Sequence, residues 1–258
     1  MTLFVRLFSM FLLPIQIVPF LHTLQKTHCR ERRDKDVQQL YEMNQFLYRP
    51  LATFPPYHPR NTISKAVIRL FHAAPDLSEL AVFVNQQPIQ KKLPYGQLSA
   101  YMEWDEGVYE IEVFKLATKE KILSSRMMIN GNETYTLCIT GARTGFALLT
   151  EKQDSLIKQD ELSALTFIQL SPDLPFIDIY ERDQGMLSKE LGYVNGTQTH
   201  HFSPNKYHFE LKAAGTQSVL LDIPKVHLQT KRAYLILLHG FANGEPELMA
   251  KVVLSHQM

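Results

Sequence analysis

The sequence predicts an all-β protein of two tandem antiparallel β-sandwich domains, each of about seven strands, preceded by an irregular, apolar N-terminal extension. Two observations predict this fold. From residue 64 onward the chain aligns with itself at an offset of 97 to 99 residues, which indicates an internal repeat. Within each copy, apolar residues alternate with polar ones between regularly spaced turns, the pattern of strands that bury one face.

Composition limits the classes of function. The chain has 258 residues, of which 45% are apolar and 21% charged, as in an ordinary globular protein. The formal net charge of +1 gives no strong field, so no nucleic-acid partner is predicted. Two cysteines, Cys29 and Cys138, cannot build a disulfide scaffold. Cys138 lies inside an alternating strand pattern, and we expect it in a core.

Residues 1–24 form an apolar segment that predicts a membrane anchor or signal. Arg6, Pro14 and Pro19 interrupt it, and no small-residue cleavage site follows. The alternative is a poorly ordered apolar extension, with Met43 as the true start. The protein is expected at the membrane or cell envelope if this segment inserts, and in the cytoplasm otherwise.

The remaining chain divides by composition. Residues 25–63 are charged and then rich in proline and aromatic residues, which predicts an extended tether, because the four prolines of residues 46–59 exclude a helix. The first sandwich is predicted over residues 64–150. Residues 151–162 are polar and charged and indicate a linker. The second sandwich is predicted over residues 163–258.

The first strand of each copy is expected to end in the same turn. Residues 69–77 align with residues 166–174. Proline fixes φ, and aspartate can hydrogen-bond the backbone two residues on, so a Pro-Asp pair closes a turn. These pairs are Pro75-Asp76 and Pro172-Asp173.

Later strands carry their own turn signals. Residues 109–113 and 207–211 alternate apolar and polar side chains, which predicts half-buried strands. Gly107 aligns with Asn205, and both residue types readily take positive φ, so we expect the same turn in both copies. Asn130-Gly131 predicts a further hairpin.

Several segments of the first copy resemble the bacterial family called domain of unknown function 4397. The segments are residues 72–76 (HAAPD), 80–85 (LAVFVN), 93–96 (LPYG) and 106–109 (EGVY). The second copy is divergent, with Gln169 in place of His72. The resemblance implies a bacterial β-sandwich that often occurs in tandem in envelope-associated proteins. It implies no catalytic residue, because the family has no established activity.

Candidate chemistry is sparse. His72 with Asp76 would be a base and its orienting carboxylate, but the second copy keeps the Pro-Asp turn and has Gln169 instead of the histidine. His200, His201 and His208 would bind a metal across a hairpin, but adjacent histidines on a strand point to opposite faces. No cysteine or carboxylate cluster has zinc spacing. No catalytic residue, cofactor or metal site is therefore predicted.

These observations favour a non-catalytic structural or interaction module, with an unidentified protein or polysaccharide partner. The alternative is a module that binds carbohydrate or peptide through exposed side chains, and its candidates are His72, Tyr95, Tyr101, Trp104 and Tyr193. An enzyme of unrecognised type is the second alternative. The sequence leaves the oligomeric state open.

Overall fold

The computed structural model describes residues 64–142, 145–153 and 161–255, which belong to one compact unit, Arg60–Met258. These residues form strands joined by turns and loops, so the predicted all-β fold is confirmed. The apolar segment 1–24, the tether 25–63 and Cys29 lie outside the described residues. No helix in the described ranges has the length and hydropathy needed to cross a bilayer.

The first half of the described chain contains eight strands: β1 (Lys65–His72), β2 (Glu79–Val84), β3 (Gln87–Pro94), β4 (Met102–Asp105), β5 (Gly107–Lys115), β6 (Lys121–Ile129), β7 (Thr134–Ala142) and β8 (Gly145–Gln153). The second half contains nine: β9 (Ser163–Gln169), β10 (Ile177–Glu181), β11 (Gly185–Leu191), β12 (Asn195–Gly196), β13 (His200–Phe202), β14 (Asn205–Ala213), β15 (Val219–Leu228), β16 (Ala233–His239) and β17 (Met249–Leu254).

Each half forms two sheets. We call the sheets that face the other half inner and the remaining two outer. In the first half the outer sheet has the strand order β3-β2-β5-β6, and the inner sheet has the order β4-β1-β7-β8. In the second half the outer sheet is β11-β10-β14-β15 and the inner sheet β12-β9-β16-β17, with β13 also paired to β9. The connectivity is therefore the same in both halves. The domain boundaries and the repeat as such stay predictions.

The inner sheets are mixed, which the predicted antiparallel sandwich did not include. β1 pairs with β7 in parallel, and β9 pairs with β16 in parallel. Parallel neighbours need a long crossover between them. Here the intervening strands supply it. After β1 the chain adds β2 and β3 to the outer sheet, returns to pair β4 with β1, and adds β5 and β6 to the outer sheet before β7.

Three apolar cores separate the four sheets. One lies between the two sheets of the first half and includes Ile68, Ile111 and Trp104. Another lies between the two sheets of the second half and includes Phe167 and Phe209. The third lies where the inner sheets meet and joins residues of both halves: Phe71, Ala73, Cys138, Ile168, Leu170, Leu235, Leu237 and Val253. We call this third core the junction.

Burial explains the two kinds of strand in the sequence. The outer strand β5 alternates, with Ile111 and Val113 fully buried and Glu110 and Glu112 on the other face. The inner strand β7 is buried at its first eight positions, because its sheet is covered on both faces. Strands with two covered faces carry continuous rather than alternating apolar runs.

Three turn predictions have different outcomes. Both Pro-Asp pairs lie in turns directly after β1 and β9, as expected. Gly107 and Asn205 instead begin strands β5 and β14; Gly107 is nearly extended, with φ of 159°, and Asn205 does not have positive φ. Asn130-Gly131 forms no hairpin, because it connects β6 in the outer sheet with β7 in the inner sheet.

Candidate functional site

The polar side chains of greatest chemical interest meet at one edge of the junction. His72 is the last residue of β1 and His239 the last residue of β16. Tyr95 follows β3 and lies between them: its hydroxyl is 2.8 Å from Nδ1 of His239. Its ring stands edge-on to both histidines, with centroids 5.7 Å from His72 and 5.4 Å from His239. We call these three residues the junction triad.

Burial keeps both histidines neutral near pH 7. His72 is fully buried and His239 is 2% exposed. Desolvation lowers the pKa of each to about 4, and the charge of Lys251 lowers that of His239 further. Burial also raises the pKa of the Tyr95 hydroxyl to about 12. The triad is therefore an uncharged, hydrogen-bonded part of the interior.

The hydrogen bonds of His72 are those of a turn. Its Nδ1 accepts from the backbone N–H of Ala74 at 3.3 Å, so the ring proton lies on Nε2. Nε2 has no hydrogen-bond partner among the described residues. Neither ring nitrogen bonds Asp76, so these two residues do not form the pair of a base and an orienting carboxylate, which the sequence did not favour.

The equivalent positions of the other half make the same contacts without histidine. Gln169 replaces His72, and its Oε1 accepts from the N–H of Ser171 at 2.6 Å. The hydroxyl of Tyr193 is 3.5 Å from the hydroxyl of Thr140. The equivalent contact made by the first half is between the Tyr95 hydroxyl and His239. Each tyrosine thus reaches across the junction to the inner sheet of the other half, so the shared feature is a contact between halves.

Asp173 has a role that the sequence did not predict. Its carboxylate accepts from the backbone N–H groups of Ala242 at 2.7 Å and Asn243 at 3.0 Å, and from the Ser171 hydroxyl at 3.2 Å. It therefore holds the loop between β16 and β17 against the turn after β9. We propose structural roles also for Pro172 and, in the corresponding turn, for Pro75 and Asp76.

The four aromatic candidates are not exposed. Tyr95 belongs to the junction triad, and Trp104 is 8% exposed and packs on Tyr109 at a centroid distance of 4.9 Å. Tyr101 lies under the guanidinium of Arg69. Tyr193 is partly buried, and burial raises the pKa of its hydroxyl. Each ring has its own interior contact, so the exposed aromatic platform needed by the alternative hypothesis is not formed by these residues.

Arg69 is a junction residue that sequence reasoning missed. Its side chain is 5% exposed. Nε donates to the Thr136 hydroxyl at 3.0 Å, and Nη1 donates to the Leu254 carbonyl at 2.9 Å. Because Leu254 belongs to β17, this arginine ties β1 to the last strand of the second half. A charged residue inside an apolar strand was the available signal.

The sequence predicted no metal site from His200, His201 and His208, and these histidines do not come together. A different cluster does. His200 and His201 lie on β13, which pairs with β9 in the inner sheet, whereas His208 lies on β14 in the outer sheet. His208 instead lies beside Glu210 and Asp222, with one ligand atom of each residue within 4.8 Å of the others. The alternation of β14 indicated that His208 and Glu210 share a face. Asp222 belongs to β15, and the pairing of β15 with β14 brings it beside them.

The family model described as domain of unknown function (DUF4397) matches residues 66–180. This part of the chain is similar to the DUF4397 family. The match contains every segment on which the sequence resemblance depends, from the turn after β1 to the start of β5. It also extends past the first half of the chain and ends in β10.

Comparisons with curated proteins and with solved structures give no further support for a fold or function. No curated protein matches the chain. The TIE protein of Bacillus anthracis is similar at 10% identity and a TM-score of 0.23, over 72% of this chain and 34% of that one. The carbohydrate-binding module CBMbc of Eubacterium rectale Amy13K, solved with maltoheptaose, is similar at 9% identity and a TM-score of 0.22, over 74% of this chain and 95% of that one. TM-scores this low establish no common fold.

Proposed function

We propose that this protein is a non-catalytic structural or interaction module, in which two sandwiches are joined by the junction into one body. The observation that carries the proposal is the junction triad. Both histidines are buried and neutral near pH 7, and Tyr95 is partly buried. Each of the three is bonded to the opposite half or to its own turn. General acid–base catalysis needs a group that reaches the substrate and titrates near the working pH.

The comparison between halves supports the same proposal. At the junction, His72 corresponds to Gln169 and His239 to Thr140, and the hydrogen bonds to Ala74 and Ser171 are equivalent. Reactive side chains therefore differ between the halves while the contacts remain. We infer that the chain carries one sandwich twice, over residues 64–150 and 163–258, and that the repeat serves assembly.

The partner is proposed to be a protein or a polysaccharide at the bacterial cell envelope, with residues 1–24 as a membrane contact. The net charge of +1 supports neither a nucleic acid nor a strongly acidic surface as the partner. The proposal places binding on the solvent-facing sides of the outer sheets, because the inner sheets already cover each other.

A substitution taken from the protein itself tests the absence of catalysis. His72→Gln places in the first half the residue that the second half has at the equivalent position, Gln169. Glutamine can make the same turn, because Gln169 accepts a hydrogen bond from the backbone N–H of Ser171, as His72 does from that of Ala74. The full-length chain and this variant are screened against chromogenic esterase, phosphatase and glycosidase substrates, with circular dichroism as the check on folding. We expect no turnover above buffer from either. Turnover by the wild-type chain contradicts the proposal, and its loss in a folded His72→Gln variant assigns it to His72.

A further inference from the structure

A histidine and two carboxylates meet on the outer face of the second outer sheet. His208 and Glu210 lie two residues apart on β14 and share a face. Asp222 of β15 lies directly opposite Glu210 in the register. Nε2 of His208 contacts a carboxylate oxygen of Asp222, and one ligand atom of each of the three residues lies within 4.8 Å of the others.

An irregularity in the β14–β15 pairing allows this arrangement. The register shifts between the pairs Tyr207–Val226 and Phe209–Ile223, so that two residues of β15, Pro224 and Lys225, lie opposite His208. Its ring reaches Asp222 diagonally instead. Bulges of this kind change the direction of nearby side chains, and here one histidine nitrogen and two carboxylates converge on a single point.

The chemistry of this set is that of a metal site. One imidazole nitrogen with carboxylate oxygens suits zinc and related divalent transition ions, which keep water in the remaining positions. Donors about 2.0–2.2 Å from a common ion lie roughly 3 to 3.5 Å apart, so small side-chain rotations close the cluster. The ligand side chains are 21% exposed in His208 and Glu210 and 49% in Asp222, which leaves a route for the ion.

An exposed positive charge lies beside the cluster. Nη2 of Arg182 is 3.1 Å from Glu210 and 3.7 Å from Asp222, and its side chain is 53% exposed. Exposed ion pairs contribute little free energy, so the guanidinium is easily displaced. Lys212, 3.4 Å from Glu210, also lies over the ring of Tyr180 and does not depend on this carboxylate.

We propose that His208, Glu210 and Asp222 bind one divalent transition-metal ion of the zinc type, which replaces Arg182 and crosslinks β14 to β15. The site is at the surface and independent of the junction, so it does not rest on the proposed function. Its failure would leave that proposal unchanged.

The test is calorimetric titration of the full-length chain with ZnCl2 in the presence of excess MgCl2. His208→Ala and Asp222→Asn are expected to bind one Zn²⁺ fewer than wild type, or to bind it at least about 10-fold more weakly. Arg182→Ala, which removes the competing charge, is expected to bind at least as tightly as wild type. Zn²⁺ should raise the melting temperature of wild type but not of His208→Ala. A ligand stabilises a protein only when it binds the folded state, and the variant lacks a ligand for the metal.

The matched control is His227→Ala, which removes an exposed histidine of β15 outside the cluster and should bind Zn²⁺ as wild type does. Unchanged stoichiometry and affinity in both His208→Ala and Asp222→Asn would overturn the proposal, as would the absence of binding to wild type or weaker binding in Arg182→Ala. Glu210→Gln, which keeps the side-chain volume, gives the same answer if a shorter variant fails to fold.

Discussion

At the scale of single residues, the junction triad shows how burial decides what a side chain can do. The sequence indicated His72 as a candidate base, whereas nothing in the apolar pattern around His239 indicated a role for that residue. The fold places both at the ends of central strands, in contact with Tyr95. Burial holds both histidines neutral near pH 7, and this has a measurable cost in acid.

We predict that the free energy of unfolding falls as pH is lowered from about 6.5 to about 4. The folded pKa of His72 and of His239 is about 4, below the usual value near 6.5. In this window the unfolded chain binds protons that the folded chain does not, so acid favours unfolding, by up to about 3 kcal/mol for each histidine. Urea denaturation at a series of pH values measures it.

The control for this prediction is the double variant His72→Gln with His239→Thr, which copies Gln169 and Thr140 of the opposite halves. Its unfolding free energy should depend less on pH in the same window. If wild type and the double variant give the same slope, the buried histidines are not its cause.

At the scale of elements, the sequence predicted which segments are strands better than it predicted how successive strands are connected. Alternation identified β5 and β14 as half-buried strands, and their Ile111 and Phe209 are buried. The turn signals were less reliable: Asn130-Gly131 has the composition of a hairpin turn but joins two sheets. Local preference indicates that the chain bends, whereas the sheet that receives the next strand is chosen by tertiary packing.

The loop between β16 and β17 supplies a prediction at this scale. Gly240 has φ of +99°, and a Cβ added there would lie 2.1 Å from the carbonyl oxygen of Glu247. Gly240→Ala should therefore lower the free energy of unfolding by at least about 2 kcal/mol, because a strained φ and a backbone clash add. Chemical denaturation of the full-length chain measures the loss.

Gly215→Ala is the matched control. Gly215 also has positive φ, +71°, but nothing lies within 4 Å of an added Cβ. Only the conformational cost remains, about 1 kcal/mol. Equal losses in the two variants would show that the approach of Glu247 to Gly240 has no energetic consequence.

At the scale of the whole molecule, the junction joins the halves through apolar burial. Phe71 and Cys138 of the first half are fully buried against residues of the second half, among them Ile168 and Leu237. Separation of the halves would expose these side chains to water. Burial of apolar area is the dominant favourable term in such contacts, so we expect the halves to depend on each other for stability.

We predict that the described part of the chain unfolds in a single transition. The chain contains one tryptophan, Trp104, which lies in the core of the first half, whereas far-ultraviolet circular dichroism reports both halves. In wild type the two signals should change at the same urea concentration, as two-state unfolding requires. Separate midpoints would show that the junction does not couple the halves.

Leu237→Asp tests the cause of this coupling from the opposite half. Leu237 is fully buried at the junction, and an unpaired carboxylate there costs several kcal/mol, on the order of the penalty for a buried polar group. The dichroism transition should move to lower urea than the Trp104 transition. Val252→Asp, at a position 40% exposed on β17, should leave the two transitions together.

The sequence by itself determined that this chain is built of strands, which faces of β5 and β14 are buried, and where the turns after β1 and β9 occur. These features follow from side-chain period and from the preferences of proline, aspartate and glycine, which act over a few residues. Only the tertiary structure decided that the inner sheets carry parallel pairs, that His239 meets Tyr95, and that Asp222 joins His208. Each of these contacts connects residues distant in sequence or on separate strands, and it depends on register and sheet packing, which short-range patterns do not specify.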